Sequence, residues 1–251
     1  MKLGLKGLNA VVTGASAGIG LACARALARE GVHMTLVARS TEQLAKANEI
    51  ICAESGSRSR VLAVDIGAAG AAREVAKAAG DVDILVNNAG AIPFGSLDKV
   101  NEASWRESWD LKVFGYVNMT REMLKRMQPR GSGVILNVIG IAGAAPTAEY
   151  ICGSSGNAAL IAFTNAMGAA TAQHGVRVLG VNPGLTSTER IEKIEMKKDA
   201  RRARDASLPF GRMMTPDEVA NFVTFCVSPL CSYLSGTTID LDGGRRYTRA
   251  I

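Results

Sequence analysis

The residues with the clearest chemical use in this chain are glycines. Thr13-Gly14-Ala15-Ser16-Ala17-Gly18-Ile19-Gly20 follows directly on the apolar run Asn9–Thr13 and leads into a segment of helical periodicity. Between a strand and a helix, each glycine has its own use: Gly14 makes the tight turn, Gly18 lets backbone approach a phosphate, and Gly20 lets helix and strand pack closely. The helix amino terminus, with its free N–H groups and positive dipole end, then faces a pyrophosphate. A glycine-rich loop alone is equally an ordinary turn; its place between strand and helix near the start of the chain favours the nucleotide. The next apolar run ends Leu36-Val37-Ala38-Arg39-Ser40. A site for an unphosphorylated ribose offers a carboxylate here to accept from the 2′-OH, and that charge repels a 2′-phosphate. Ala38 removes the repulsion and Arg39 supplies a planar cation suited to phosphate. NADP(H) is therefore expected over NAD(H), the alternative being an Arg39 that lies on the adenine face.

The elements that must position these residues are legible as alternation. Apolar runs at Asn9–Thr13, His33–Ala38, Val61–Val64, Ile84–Val86, Val134–Val138, Val176–Val181 and Thr237–Leu241 are bounded by turn residues. Between them lie segments of helical period, such as Ile19–Glu30, Thr41–Glu54, Glu102–Met127 and Ala158–His174. Strand and helix in alternation predict an α/β, Rossmann-type fold: a doubly wound, parallel, seven-stranded sheet with helices on both faces and a ligand crevice at the carboxyl ends of its strands.

With 251 residues, 47% of them hydrophobic and 21% charged, the chain can bury one large core, and one domain over residues 1–251 is expected. The start shows no signal-type apolar segment, and the longest apolar stretch, Val134 to Pro146, falls short of the about 20 residues a spanning helix needs. A cytoplasmic protein without a membrane partner follows. Five scattered cysteines with no CxxC pair read as reduced packing thiols and leave no metal site. Arg190 to Arg204 holds seven Lys/Arg against Glu192, Glu195 and Asp199. Few aromatics interleave with those charges, so a solvated helical loop is expected rather than a nucleic-acid face.

The GxxxGxG spacing, with Asn87-Asn88-Ala89-Gly90, resembles the short-chain dehydrogenase/reductase family over nearly the whole chain. Matching features are Asp65 after the third strand, Asn137 on the fifth, Pro183-Gly184 with Thr186 and Thr188 after the sixth, and Leu241-Asp242-Gly243-Gly244. The resemblance implies that the cofactor lies on Gly14, Ser16, Ala17, Gly18, Ile19 and Gly20, with Arg39 and Ser40 at its ribose. Asp65, followed by Ile66, would hold the adenine edge. Asn87, Asn88, Ala89 and Gly90 would line the nucleotide, and Pro183 to Thr188 would flank the nicotinamide carboxamide. It further implies a substrate lid over about residues 187–209 and a homotetramer. Glu102–Met127 and Ala158–His174 would meet at one interface and the Asp240–Ile251 tail at another. The lid's basic excess suits an anionic substrate, or else simply faces water.

The catalytic pattern departs from that family. Its members move a proton with a Tyr, tune and hold it with a Lys, orient the carbonyl with a Ser and add a helix Asn. The aligned positions here are Gly153, Asn157, Gly140 and Lys112. Lys112 and Asn157, both expected at the cofactor, read as an exchange: a four-carbon stem returns an ammonium to the same small volume from the neighbouring helix. Tyr150 lies three residues before Gly153 and shares its face if the helix begins early enough. Tyr150, Lys112 and Ser154 are thus the catalytic candidates. The blander alternatives are a rim tyrosine, a surface lysine and a capping serine. Glu149 and Cys152 read as solvated and packing residues. An unassisted tyrosine has a pKa of about 10, which leaves only about one in a thousand ionised at pH 7 and favours reduction, where the neutral phenol is the acid. Two functions are compatible with these residues. One is an NADP(H)-dependent oxidoreductase that reduces a carbonyl, a ketone or a 3-oxoacyl-like group, to an alcohol. The other is a catalytically silent NADP(H)-binding sensor, scaffold or subunit.

Overall fold

The computed structural model describes residues 2–192 and 198–247. Seven strands form one sheet: β1 (Asn9–Thr13), β2 (His33–Ala38), β3 (Arg60–Ala63), β4 (Ile84–Asn87), β5 (Gly133–Val138), β6 (Val176–Pro183) and β7 (Thr238–Leu241). Their order is β3-β2-β1-β4-β5-β6-β7 and every neighbouring pair is parallel. Each strand lies within two residues of its apolar run. The central strands read as unbroken apolar sequence because both faces of a parallel sheet are covered, and Val11, Val12, Leu85 and Val86 are fully buried.

Helices α1 (Gly18–Arg29), α2 (Thr41–Ser55) and α9 (Pro216–Val227) pack on one face, where Leu27, Leu44 and Val223 join a core with Val12 and Leu36. On the other face lie α3 (Ala71–Ala79) and α5 (Gly115–Arg130), which send Val75, Met119, Met123 and Met127 against Val11, Leu85 and Ile135. Helix α6 (Ile151–Thr171) covers β6, and α4 (Glu102–Trp109), α7 (Glu189–Glu192) and α8 (Lys198–Ala206) are the remaining described helices. Among the described residues no helix is long and apolar enough to cross a membrane.

Two elements differ from the sequence expectation. The continuous helix Glu102–Met127 is interrupted by a π-helical turn, Asp110–Phe114, between α4 and α5. Helix α6 begins at Ile151 rather than Ala158, across Gly153, Ser154, Ser155 and Gly156. Those residues have low helix propensity and hide the start, but packing overrides it. A Cβ on Gly156 would already lie 3.2 Å from both Trp109 Nε1 and Val113 Cγ2, so small residues are what let α6 approach α4 and the π turn.

Candidate active site

The chain leaves β1 toward β2 on one side and enters β4 on the other, so the loops after these adjacent strands diverge and open a crevice. They are zipped at its floor. Thr13 Oγ1 accepts from the N–H groups of Asn88 and Ala89 at 2.9 and 3.2 Å, while Asn88 Nδ2 donates to the carbonyls of Thr13 and Gly14. Gly14 has φ +66°, and a Cβ there would lie 2.8 Å from Ala89 Cα. Gly20 has the packing use expected of it, since its Cβ would meet Gly14 O at 2.2 Å. The amino terminus of α1 has neither a side-chain cap nor an acidic residue in its first turn. Its N–H groups and dipole are left for an external anion.

Two cavities of about 410 Å³ each occupy the crevice and share Gly14, Ala89 and Gly90. The first brings together Ala17, Gly18, Ile19, Asn88, Lys112, Gly140, Tyr150, Pro183, Gly184, Thr186 and Thr188 from the sequence candidates. The second holds Ser16, Arg39, Ser40 and Ile66, with Gln43. Ser40 also caps α2 by accepting from Gln43 N–H. Asp65 accepts from Gly67 N–H at 3.0 Å and faces a smaller cavity beside Arg39. A dinucleotide with a phosphorylated ribose fits this set: the uncapped helix end for the pyrophosphate, a cation beside Ala38 for the added phosphate, and glycines where a side chain would close the passage. Asn87 lies beneath the crevice, fully buried, donating to Asn137 Oδ1 at 2.9 Å while Asn137 donates to Thr164.

The reactive groups meet at the far end of the first cavity. The Lys112 stem lies against Gly90, and its ammonium donates to the Ile139 carbonyl at 2.6 Å. Removal from water and the like charge of Arg190 lower its pKa to about 8. Asn157 is 2% exposed behind Gly140, its Nδ2 3.0 Å from where a Cβ on Gly140 would stand, and its Oδ1 is buried without a partner among the described residues.

Tyr150 reaches the cavity by a route that helical periodicity does not describe. It precedes α6 with φ −136° and ψ 38°, outside the helix, so a shared helical face with Gly153 is corrected. Its ring instead folds back over Gly153: a Cβ there would lie 2.1 Å from Tyr150 Cε1 and 2.2 Å from Cζ. The hydroxyl-bearing end of the ring crosses the point at which a side chain of residue 153 would begin. The Phe94 ring lies against it at a centroid distance of 4.6 Å. Burial raises the Tyr150 pKa above its usual value, with Arg190's charge acting in the opposite direction. Ser154 is not part of this group. Its hydroxyl accepts from Thr147 N–H at 3.1 Å and donates to Thr147 O, closing the loop before α6.

Arg190 and Phe94 also line this cavity, and the sequence pattern singles out neither. In the sequence Arg190 is one cation of a basic stretch, and no local pattern marks Phe94.

The family model described as short chain dehydrogenase matches residues 8–199. A galactitol 2-dehydrogenase (L-tagatose-forming) of Cereibacter sphaeroides is 32% identical, over 96% of this chain and 95% of its own. A 3-oxoacyl-[acyl-carrier-protein] reductase of Vibrio cholerae is 31% identical over 96% and 98%. Among solved structures, the L-sorbose reductase of Gluconobacter frateurii complexed with NADPH and L-sorbose superposes with a TM-score of 0.92. It shares 30% identity, over 99% of this chain and all of that one.

Proposed function

Because the chain belongs to the short-chain dehydrogenase/reductase family, we propose that it is an NADP(H)-dependent carbonyl reductase whose proton-transfer group is rearranged onto Tyr150 and Lys112. The observation that carries this reading is the Tyr150 ring lying across the starting point of a residue-153 side chain, in the same cavity as Lys112. The relative named as a 3-oxoacyl-[acyl-carrier-protein] reductase supports the direction, and the sorbose reductase solved with NADPH supports the direction and the cofactor.

In this reading Gly14 to Gly20 and the α1 amino terminus hold the pyrophosphate, Arg39, Ser40 and Ser16 the 2′-phosphate, Asp65 and Ile66 the adenine side, and Pro183 to Thr188 the carboxamide. The bound nicotinamide supplies the hydride. Tyr150, kept neutral by burial, donates the Oη proton to the carbonyl oxygen as that oxygen gains charge. Lys112 stabilises the phenolate left behind, in the place where Asn157 no longer carries a charge. One domain over residues 1–251, a cytoplasmic location and a homotetramer belong to the same proposal. An apolar groove of about 670 Å³ lined by Trp105, Trp109 and Phe114 supports the interface expected along Glu102–Met127. The lid at 187–209 and the tail at 240–251 extend over residues 193–197 and 248–251, which lie outside the described residues.

The test follows NADPH oxidation with diketones, quinones and acyl thioesters. Turnover supports the reductase; NADPH binding without turnover of any of them turns the reading toward a silent cofactor-binding protein. Arg39 gives a separate expectation. Arg39→Ala is expected to weaken NADPH binding by about ten- to hundredfold, the range of one lost charge-assisted hydrogen bond, and to change NADH binding by less than about threefold. Fluorescence titration with both cofactors checks it, and equal losses for the two would place Arg39 on the adenine face.

A further inference from the structure

Arg190 stands on α7 and reaches back across the mouth of the crevice. Its Nη2 donates to the Ile92 carbonyl at 2.6 Å, and its Nη1 approaches the Gly90 carbonyl at 3.4 Å. Both carbonyls belong to the loop after β4, so two bonds to fixed backbone orient the guanidinium plane. The same side chain lines the cavity that contains Lys112 and Tyr150, and its charge is felt by both. Glu189 lines the same cavity, and both it and Arg190 are exposed at its mouth.

Two cations and one hydroxyl therefore converge on the space in front of Gly140. Proton delivery to a carbonyl oxygen needs the hydroxyl and one cation. The second, Arg190, is fixed at the cavity mouth by two backbone carbonyls, where an anionic group of the substrate is favoured by both cations. A guanidinium carries five N–H donors in a fixed fork matched to a carboxylate, and two carbonyl bonds leave part of that fork unused.

We propose that Arg190 is a specificity-determining residue that pairs with the carboxylate of an oxo-acid substrate, so that the site selects α- or β-oxo acids over uncharged carbonyl compounds. This rests on the reading of the site as a carbonyl reductase. Its chemistry adds no step to that reaction: the carboxylate is held and unchanged, and the product is the corresponding hydroxy acid.

The experiment compares kcat/KM for a set of short and long α- and β-oxo acids with that for their methyl esters, with NADPH saturating, in wild type, Arg190→Gln and Arg190→Lys. Wild type is expected to prefer the acids by about tenfold or more, Arg190→Gln to bring the acid-to-ester ratio near one, and Arg190→Lys to restore part of it. A ratio that survives Arg190→Gln, or acid and ester rates that fall together, overturns the proposal and leaves Arg190 a strap between α7 and the β4 loop. A raised NADPH dissociation constant with the ratio intact assigns the cation to the cofactor instead, and overturns it too. Should no carbonyl compound be turned over, calorimetric titration of pyruvate and acetoacetate into the NADP complex still decides. Binding to wild type that is lost in Arg190→Gln upholds the anion site although the reductase reading has failed, and no binding to wild type overturns both.

Discussion

Tyr150→Phe is expected to lower kcat for carbonyl reduction by about 10²- to 10⁴-fold, the contribution of a positioned general acid, and to leave NADPH binding within about twofold. The substitution removes one oxygen and keeps the ring on Gly153 and its contact with Phe94, so the pocket wall survives while the proton donor is lost. Gly153→Ala makes the complementary change. It keeps the hydroxyl but places a methyl 2.1 Å from Tyr150 Cε1, a separation that only movement of the ring can relieve. Its kcat should fall nearly as far as that of Tyr150→Phe, with a loss of stability of about 1–3 kcal/mol from overpacking. Stopped-flow or steady-state NADPH oxidation reads the first effect and denaturant unfolding the second. A Tyr150→Phe enzyme as fast as wild type would remove Tyr150 from the reaction altogether.

The second large effect belongs to Lys112. Its pKa is lowered to about 8 by removal from water and by Arg190, so the ammonium is charged below that pH and neutral above it. A cation that stabilises the developing phenolate is therefore lost as pH rises through about 8, and kcat for reduction should fall along that limb. Tyr150 does not obscure it, because burial moves the phenol upward, away from this range. Lys112→Ala should lose about 10²-fold at neutral pH and show no limb near 8. Lys112→Arg keeps a charge that does not titrate and should flatten the limb without the full loss. A pH profile with the same limb in all three proteins would assign the titration elsewhere.

Most of the scaffold is legible in the sequence because it is local. Val11-Val12 and Leu85-Val86 read as buried parallel strands from composition alone, and Gly14 and Gly20 carry their turn and packing uses in their spacing between a strand and a helix. Ala38 with Arg39 is locatable for the same reason: the end of one strand puts Arg39 on the cavity that also holds Ser16 and Ser40. The reactive end is different. The Tyr150 ring reaches Gly153 through a loop conformation, not through a helical repeat, so spacing finds the pair but gives the wrong route between them. Ser154 looks like a site hydroxyl until the fold offers it the backbone of Thr147. Arg190 touches Ile92 across nearly a hundred residues of chain, and no local pattern announces such a contact. Gly140, aligned with a serine of the family, has φ +131°, where an L side chain is strained. Restoring that serine alone would load the backbone before it supplied a hydroxyl.

The π turn at Asp110–Phe114 has a further consequence, one of angular phase. Along α5, Met119, Met123 and Met127 keep a four-residue stripe on the sheet, while Trp109 and Val113 both point at Gly156 of α6. One uniform helix would have to serve both stripes with a single rotation. The wider turn holds both Val113, packed toward Gly156, and Lys112, aimed at the Ile139 carbonyl, and offsets them from the methionine stripe that follows. Deleting one residue there would merge the two phases and pull either the α6 contact or the ammonium off its mark. The fold thereby sets the direction of its part-buried cation from the same turn that seats the helix on α6.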